Sequence, residues 1–329
     1  MISRFGGVPD HGEKGERVAE VFELRAGEYR ARVDRTGAGL QALSWRGHDL
    51  VWPYTRQSGP IASQGQLLAP WPNRVASARY TFQGTEYRLD VNDPETGSAI
   101  HGLVSEVAWS TQERSEEDVT LRLDFPGTPG YPFPLELTAA YRLTADASAA
   151  HGLTVTVTAR NTGDSDAPYG LGFHPYLTLG APFRDLVERG EVRLEATAGS
   201  RQPADATLVP VGDPVPVSGT EYDLRPPGRN PGTTQLDTAF TDLDRDSDGR
   251  AWVRLSGPDH RVCLWAGRGY GWLQLFSSDS LGGDLHRAHL AAEPMTCPPD
   301  ALNSGTDLIV LAPGESVEHT FGILAESLG

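Results

Sequence analysis

The chain has 329 residues, with 28 Lys+Arg against 44 Asp+Glu, a formal net charge of −16, and 37 Gly plus 25 Pro. Backbone punctuators at that density leave no room for helical bundles or coiled coils, and the acidity argues against nucleic-acid and anionic membrane partners. Lys14 is the only lysine, so Schiff-base, pyridoxal-phosphate and P-loop chemistry lack the residue each needs beside its reacting group.

In chain order, Met1 to Glu16 carries Asp10, Glu13 and Glu16 and lacks the apolar block of a secretory signal; residues 1–18 are expected to form a mobile tail ahead of one domain over 19–329. Ala42–Trp45 turns at Arg46-Gly47 into Leu50–Trp52, and Tyr80–Phe82 turns at Gln83-Gly84 into Tyr87–Leu89, which predicts two hairpins. Val119, Leu121, Leu123 and Phe125 alternate with polar residues, as do Leu153, Val155, Val157 and Ala159 before Asn161–Asp164. That is strand periodicity. Further strands are expected at Ala251–Leu255, Arg261–Trp265, Trp272–Phe276 and Leu308–Leu311, with Pro203–Pro231 a long surface excursion. No stripe repeats at helical spacing, and no apolar run approaches the roughly 20 residues of a membrane span. The pattern is all-β: a large antiparallel β-sandwich with few helices.

Two clusters resemble metal sites at first glance. Asp244, Asp246, Asp248 and Gly249 open like a calcium loop, but position 12 is Leu255 rather than Glu, which favours a solvated hairpin turn. His286, His289 and Glu293 lack zincin spacing, so the two histidines are read as surface or loop residues. Cys263 and Cys297 have no CxxC spacing, and both are expected to be thiols of the core or near the site rather than a disulfide framework.

Four segments place an ionisable residue among stiff neighbours: Ala69-Pro-Trp-Pro-Asn73-Arg74, Ala99-Ile-His101-Gly-Leu103, Gly170-Leu-Gly-Phe-His174-Pro-Tyr176 and Ala291-Ala-Glu293-Pro-Met-Thr296. Proline after His174 and Glu293 restricts each to extended backbone, and the flanking glycines let the chain approach a ligand. Singly, each has a plain reading as a hydrogen-bonded strand-end residue. Together with Leu236-Asp-Thr-Ala-Phe240 and the Pro299-Asp-Ala-Leu-Asn303 that follows Glu293, they resemble the aldose 1-epimerase (galactose mutarotase) family. The similarity runs over Gln66–Trp109, Ala167–Gly180, Gln235–Leu243 and Trp272–Gly305. Where galactose mutarotases usually follow the first histidine with two glycines, this chain has Gly102-Leu103.

The resemblance implies a galactose-mutarotase-like supersandwich that interconverts the α and β anomers of a free aldohexose without metal or cofactor. It assigns Glu293 as base on the anomeric hydroxyl, His174 as acid on the ring oxygen and His101 as an assistant at the ring. Arg74 and Asp237 would hold sugar hydroxyls, with Asn73 beside them and Trp71 and Tyr176 either stacking on the sugar or simply packing. A cytoplasmic monomer or weak homodimer with a monosaccharide as its partner is expected. One alternative is a mutarotase for a C6-anionic hexose, which needs a further arginine such as Arg56, Arg79 or Arg268. The other is a non-catalytic carbohydrate-binding sandwich, which would not need His174 and Glu293 together.

Overall fold

The structure, a computed structural model, describes residues 20–55, 57–145 and 151–328. The predicted N-terminal tail and Arg56 lie outside the described residues.

Two large sheets organise the molecule. The first runs, in spatial order, Ser110–Arg114, Asp118–Phe125, Leu135–Thr144, Gly152–Asn161, Ser316–Ser327, His260–Ala266, Ala251–Ser256 and Arg193–Ala196, all antiparallel. Its members alternate as the sequence requires: Val119, Leu121, Leu123 and Phe125 are buried while Thr120 and Arg122 are half-buried and Asp124 is exposed. The second sheet runs Val215–Pro216, Ala198–Arg201, Asp237–Leu243, Trp272–Phe276, Leu290–Met295, Gly172–Phe173 and Leu67–Leu68, with Tyr176–Leu177 also paired to Leu290–Met295. A four-stranded sheet, Val21–Ala26, Tyr29–Asp34, Leu40–Trp45 and His48–Asp49, packs at one side and is tied to the first sheet where the Tyr141 hydroxyl donates to Ala38 O. Helical structure among the described residues is limited to Phe183–Glu188, Ala301–Ser304 and two 3₁₀ turns.

One continuous apolar core runs from Phe22 to Ala325. Phe173 of the second sheet meets Phe321 of the first at 4.8 Å between ring centroids and Tyr141 at 6.5 Å. Leu273, Leu275 and Ala292 join the same core, so this face of the second sheet is fully committed to packing. Period-two alternation then sends Trp272, Gln274, Glu293 and Met295 to its opposite face.

Several strand expectations hold closely: Trp272–Phe276 is observed as predicted, Ala251–Ser256 and Ile309–Leu311 differ by one residue at one end, and His260–Ala266 is longer by one residue at each end. The Arg79–Phe82 and Thr85–Arg88 hairpin closes at Gln83-Gly84. Two expectations need correction. The Arg46-Gly47 turn returns as His48–Asp49, and Trp52 has already left the hairpin to donate its N–H to Tyr176 O in the second sheet. Nor is Asp244–Gly249 a hairpin turn, because the strands on either side belong to different sheets. Its carboxylate is consumed locally instead: Asp246 accepts the N–H groups of Asp248 and Arg250 and the Trp252 indole at 2.7 Å. The Pro203–Pro231 excursion is largely exposed, anchored by buried Val217 and Leu224.

Within the core-facing pattern His319 is anomalous. It lies on Ser316–Ser327 at 5% exposure, and neither ring nitrogen has a hydrogen-bond partner among the described residues. Burial lowers it from the usual 6.5 to about 4. The unfolded chain therefore binds a proton between these values that the folded chain refuses, so His319 removes stability as pH falls from about 6.5 towards 4. The urea midpoint should drop between about pH 7 and about pH 5 by less in His319→Gln than in the parent. Equal drops would show that His319 does not contribute to the acid sensitivity.

Candidate active site

On the outward face of the second sheet, Gln274 and Glu293 are direct cross-strand neighbours, and Ala239 opposes Gln274 two residues along from Asp237. Parity alone therefore gathers Asp237, Gln274 and Glu293 on one face. His174 arrives from the segment between Gly172–Phe173 and Tyr176–Leu177. Its N–H donates to Gln66 O and its carbonyl accepts from Gly65, while the next carbonyl, of Pro175, accepts from Ala292. The motif glycines make this path passable. A Cβ on Gly172 would lie 2.7 Å from Pro72 Cβ, and one on Gly170 would lie 2.6 Å from Cys297 Sγ. Cys297 is thus a packing residue behind the site, and Cys263 is buried elsewhere, against Trp265 and Leu324.

His174 Nε2 lies 3.3 Å from Glu293 Oε1, with the two side chains only 5% and 2% exposed. Desolvation acts on both: it lowers His174 to about 3 and raises Glu293 well above 4.5, with the nearby Asp237 carboxylate adding to the rise and Arg74 opposing it. Two isolated charges are unwelcome here, but a pair sharing one transferable proton is neutral overall. His174 Nδ1 and Glu293 Oε2 are buried without partners among the described residues, as is Gln274 Oε1. Such orphaned atoms mark a site awaiting a polar ligand.

A second bank faces them. Arg74, on Arg74–Val75, donates from Nε to Asp93 Oδ2 at 2.9 Å, and Thr96 donates to the same oxygen. That leaves the guanidinium's terminal nitrogens for a ligand. Asp237 accepts from Gln274 Nε2 at 2.6 Å, and burial raises its carboxyl pKa against the lowering effect of Arg74. His101 stands edge-on to His174, with ring centroids 5.2 Å apart. Its φ is +65°, and Gly102 follows at +75°, where a Cβ would fall 2.0 Å from Ala69 O. The glycine is obligatory for the turn that presents His101.

Arg74, His101, His174, Asp237, Gln274 and Glu293 all line one cavity of about 240 Å³. Asn73 and Tyr176 line it too, in supporting postures. Asn73 Oδ1 accepts the Arg74 N–H, and its own N–H donates to His101 Nδ1. The Tyr176 hydroxyl donates to Ala62 O, and its ring stands 5.0 Å from His174. Trp71 does not reach the cavity. It is 2% exposed in the core, beside Tyr131, so the packing alternative holds for it. His289, in the loop just before Leu290–Met295, is half-buried and stacks on Trp52 at 3.5 Å, and His286 is exposed, so the reading of the two as surface or loop residues holds. Arg79 is exposed on its hairpin and Arg268 lies against Gly249, so neither lines the cavity.

Sequence reasoning missed Gln274 and Asp93. Gln274 was marked by a polar residue in the middle of the apolar strand Trp272–Phe276; nothing in the order of residues ties Asp93 to Arg74.

Residues 20–324 match the family model described as aldose 1-epimerase. The chain belongs to the aldose 1-epimerase family. It is similar to the uncharacterized protein YihR of Escherichia coli K12, 32% identical over 93% of this chain and 94% of that one. Human galactose mutarotase is 27% identical over 79% of this chain and 70% of its own length. Among solved structures, a GalM/aldose epimerase homologue from C. elegans superposes with a TM-score of 0.80 at 20% identity, covering 95% and 100% of the two chains. An E. coli K12 putative aldose 1-epimerase gives 0.78 at 24%, covering 94% and 99%. This family member is accordingly an enzyme of the isomerase class with the mutarotase-like sandwich. No helix among the described residues is long and apolar enough to cross a membrane.

His101, His174 and Glu293 bring one potential ligand atom each within 4.8 Å of one another, close enough for a metal ion. The hydrogen bond from Asn73 N–H to His101 Nδ1 argues against it. A neutral imidazole that accepts at Nδ1 carries its proton on Nε2, which is then a donor rather than a ligand. Anomerisation rates should be unchanged after exhaustive dialysis against EDTA; a loss restored by Zn²⁺ or Ca²⁺ would overturn this tautomer.

Proposed function

We propose that this enzyme interconverts the α and β anomers of a free, uncharged aldohexose by acid and base catalysis. The observation that carries the reading is the buried His174–Glu293 contact at the base of a polar cavity.

O1 and O5 of a pyranose share one carbon, so an acid and a base in contact with each other can address both. Glu293 takes the proton from the O1 hydroxyl. The C1–O5 bond breaks, its electron pair goes to O5, and O5 receives the pair's shared proton from His174, which carries it in the reacting tautomer although burial favours it on Glu293 in the free enzyme. The products are a C1 aldehyde and a C5 hydroxyl. Rotation about C1–C2 presents the other aldehyde face, and reversal of both transfers closes the ring with inverted configuration. Protons and electrons balance, leaving Glu293 and His174 as they began. Positioned proton transfer of this kind contributes roughly 10²–10⁴-fold.

Arg74 and Asp237 supply donors and an acceptor for ring hydroxyls on the opposite bank, with Gln274 Oε1 a further acceptor. His101, held as an Nε2–H donor, complements oxygen as negative charge develops there. Arg74 is the only Arg or Lys among the described lining residues and is already shared with Asp93, which favours an uncharged sugar over one anionic at C6. A purely binding module would gain nothing from desolvating an acid and a base against each other.

Glu293→Gln keeps shape but removes the base, and His174→Asn removes the acid. Each should lower kcat by roughly 10²–10⁴-fold while KM shifts far less, measured by polarimetric relaxation of fresh α-sugar after subtraction of the spontaneous rate. A variant whose KM alone changed would have lost a binding group, and the role given to that residue would be wrong.

A further inference from the structure

The strand that carries Glu293 ends at Met295, but the chain beyond it reaches the bank on the far side of the cavity. Thr296 and Cys297 are first fixed to the segment that leads to His174. The Thr296 N–H donates to Leu171 O at 2.8 Å, its hydroxyl accepts the Leu171 N–H at 2.9 Å, and Cys297 packs against Gly170. Pro298-Pro299 follows, and each ring fixes its own φ. The chain is therefore stiff from the base to Asp300.

Asp300 closes a bracket on Arg74. Its N–H donates to Arg74 O at 2.7 Å and its Oδ1 accepts the Ala76 N–H at 2.9 Å, so one residue holds the backbone on both sides of Val75. Asn303, in the helical turn Ala301–Ser304, aims that oxygen: its Nδ2 donates to Asp300 Oδ1 at 2.7 Å and to Arg79 O at 2.9 Å. Asp300 itself is left-handed at φ +61°, a conformation that aspartate, asparagine and glycine accept more readily than other residues. Ser77 and Ala78 are left-handed as well, at φ +55° and +50°, so the turn that follows Ala76 is strained and needs its entry held. Arg74–Val75 also pairs with Ala99–Ile100, directly before His101, so the bracket bears on both side chains of that bank.

We propose that Asp300 is a positioning residue: it sets the placement of Arg74, and with it the span between the sugar-holding bank and the Glu293 base, without touching substrate. Asp93 ties the head of Arg74 through Nε, and Asp300 ties its backbone. Neither Asp300 nor Asn303 is among the described residues that line the cavity. The proposal rests on the mutarotase reading for its kinetic readout and goes beyond it by giving the Pro299–Asn303 motif a task.

Asp300→Gly keeps the left-handed backbone and the N–H to Arg74 O but removes the acceptor for Ala76, whereas Asp300→Asn keeps an acceptor oxygen. In polarimetric relaxation of the better of fresh α-glucose and α-galactose, Asp300→Gly should raise KM about fivefold or more and leave kcat within about threefold, since Arg74 holds hydroxyls and moves no proton. Asp300→Asn should stay within about twofold of the parent in both constants. In an Arg74→Ala background, Asp300→Gly should add less than about twofold to KM, because the group it positions is gone. A second readout needs no activity: the Arg74 Nε–H, held on Asp93, should exchange with solvent about tenfold or more faster in Asp300→Gly and at the parental rate in Asp300→Asn, followed by NMR. A folded Asp300→Gly with parental KM, an equal KM rise in the Arg74→Ala background, equal effects of the two substitutions, or unchanged Nε–H exchange would each overturn the proposal. A parent that accelerates neither sugar would instead overturn the mutarotase reading, and the exchange rates would then decide whether Asp300 positions Arg74.

Discussion

Everything at the site follows from placing a histidine and a glutamate against each other where water cannot reach them. Taking a carboxylate or an imidazolium out of water costs several kcal/mol unless it is paired. A chain that does so twice, at 3.3 Å, has joined the two into one acid–base unit. Burial pushes Glu293 up and His174 down, past one another, so in the free enzyme the shared proton rests on Glu293 and both partners are neutral. Transfer of that proton across the 3.3 Å contact to His174 readies the pair for a reaction that must run in both directions.

The sheet makes such a pair affordable. Its inner face is sealed by Phe173, Leu273, Leu275 and Ala292 against the large sheet, so the outer face has a rigid backing from which Gln274, Glu293 and Asp237 project with fixed spacing. His174 is inserted between two ladders by its own backbone bonds to Gly65, Gln66 and, through Pro175, Ala292. Sites carried on strands rather than loops hold the tight tolerances that proton transfer demands. The facing bank, Arg74 with Asp93 and His101 on its strained turn, comes instead from short strands and turns between residues 73 and 102.

How much of this was legible varied with the range of the interaction. Alternation exposed the strands Asp118–Phe125 and Gly152–Asn161, because a half-buried strand writes its environment into every second residue. Gly170, Gly172 and Gly102 marked close backbone approaches, and the prolines after His174 and Glu293 marked extended presentation of both. Sheet membership was not legible: Asp244–Gly249 looked like a hairpin because nothing local says that its two strands join different sheets. Trp71 was ambiguous for the same reason, since a tryptophan between prolines can face either side of the chain. The stacking partner of His289 was not legible either, because Trp52 lies more than 200 residues earlier in the chain. Asp93 and Gln274 acquire their meaning only from partners brought in by the fold.

The claim at the centre is that His174 and Glu293 titrate as one desolvated unit. Following the His174 ring by NMR through its carbon and nitrogen shifts between about pH 5 and about pH 8, in the parent and in Glu293→Gln, addresses it directly. The account predicts no ordinary step near the usual value of about 6.5 in the parent, and altered ring shifts at every pH once the shared proton is removed by Glu293→Gln. A His174 that titrates near about 6.5 like an exposed imidazole, with shifts unmoved by Glu293→Gln, would contradict it.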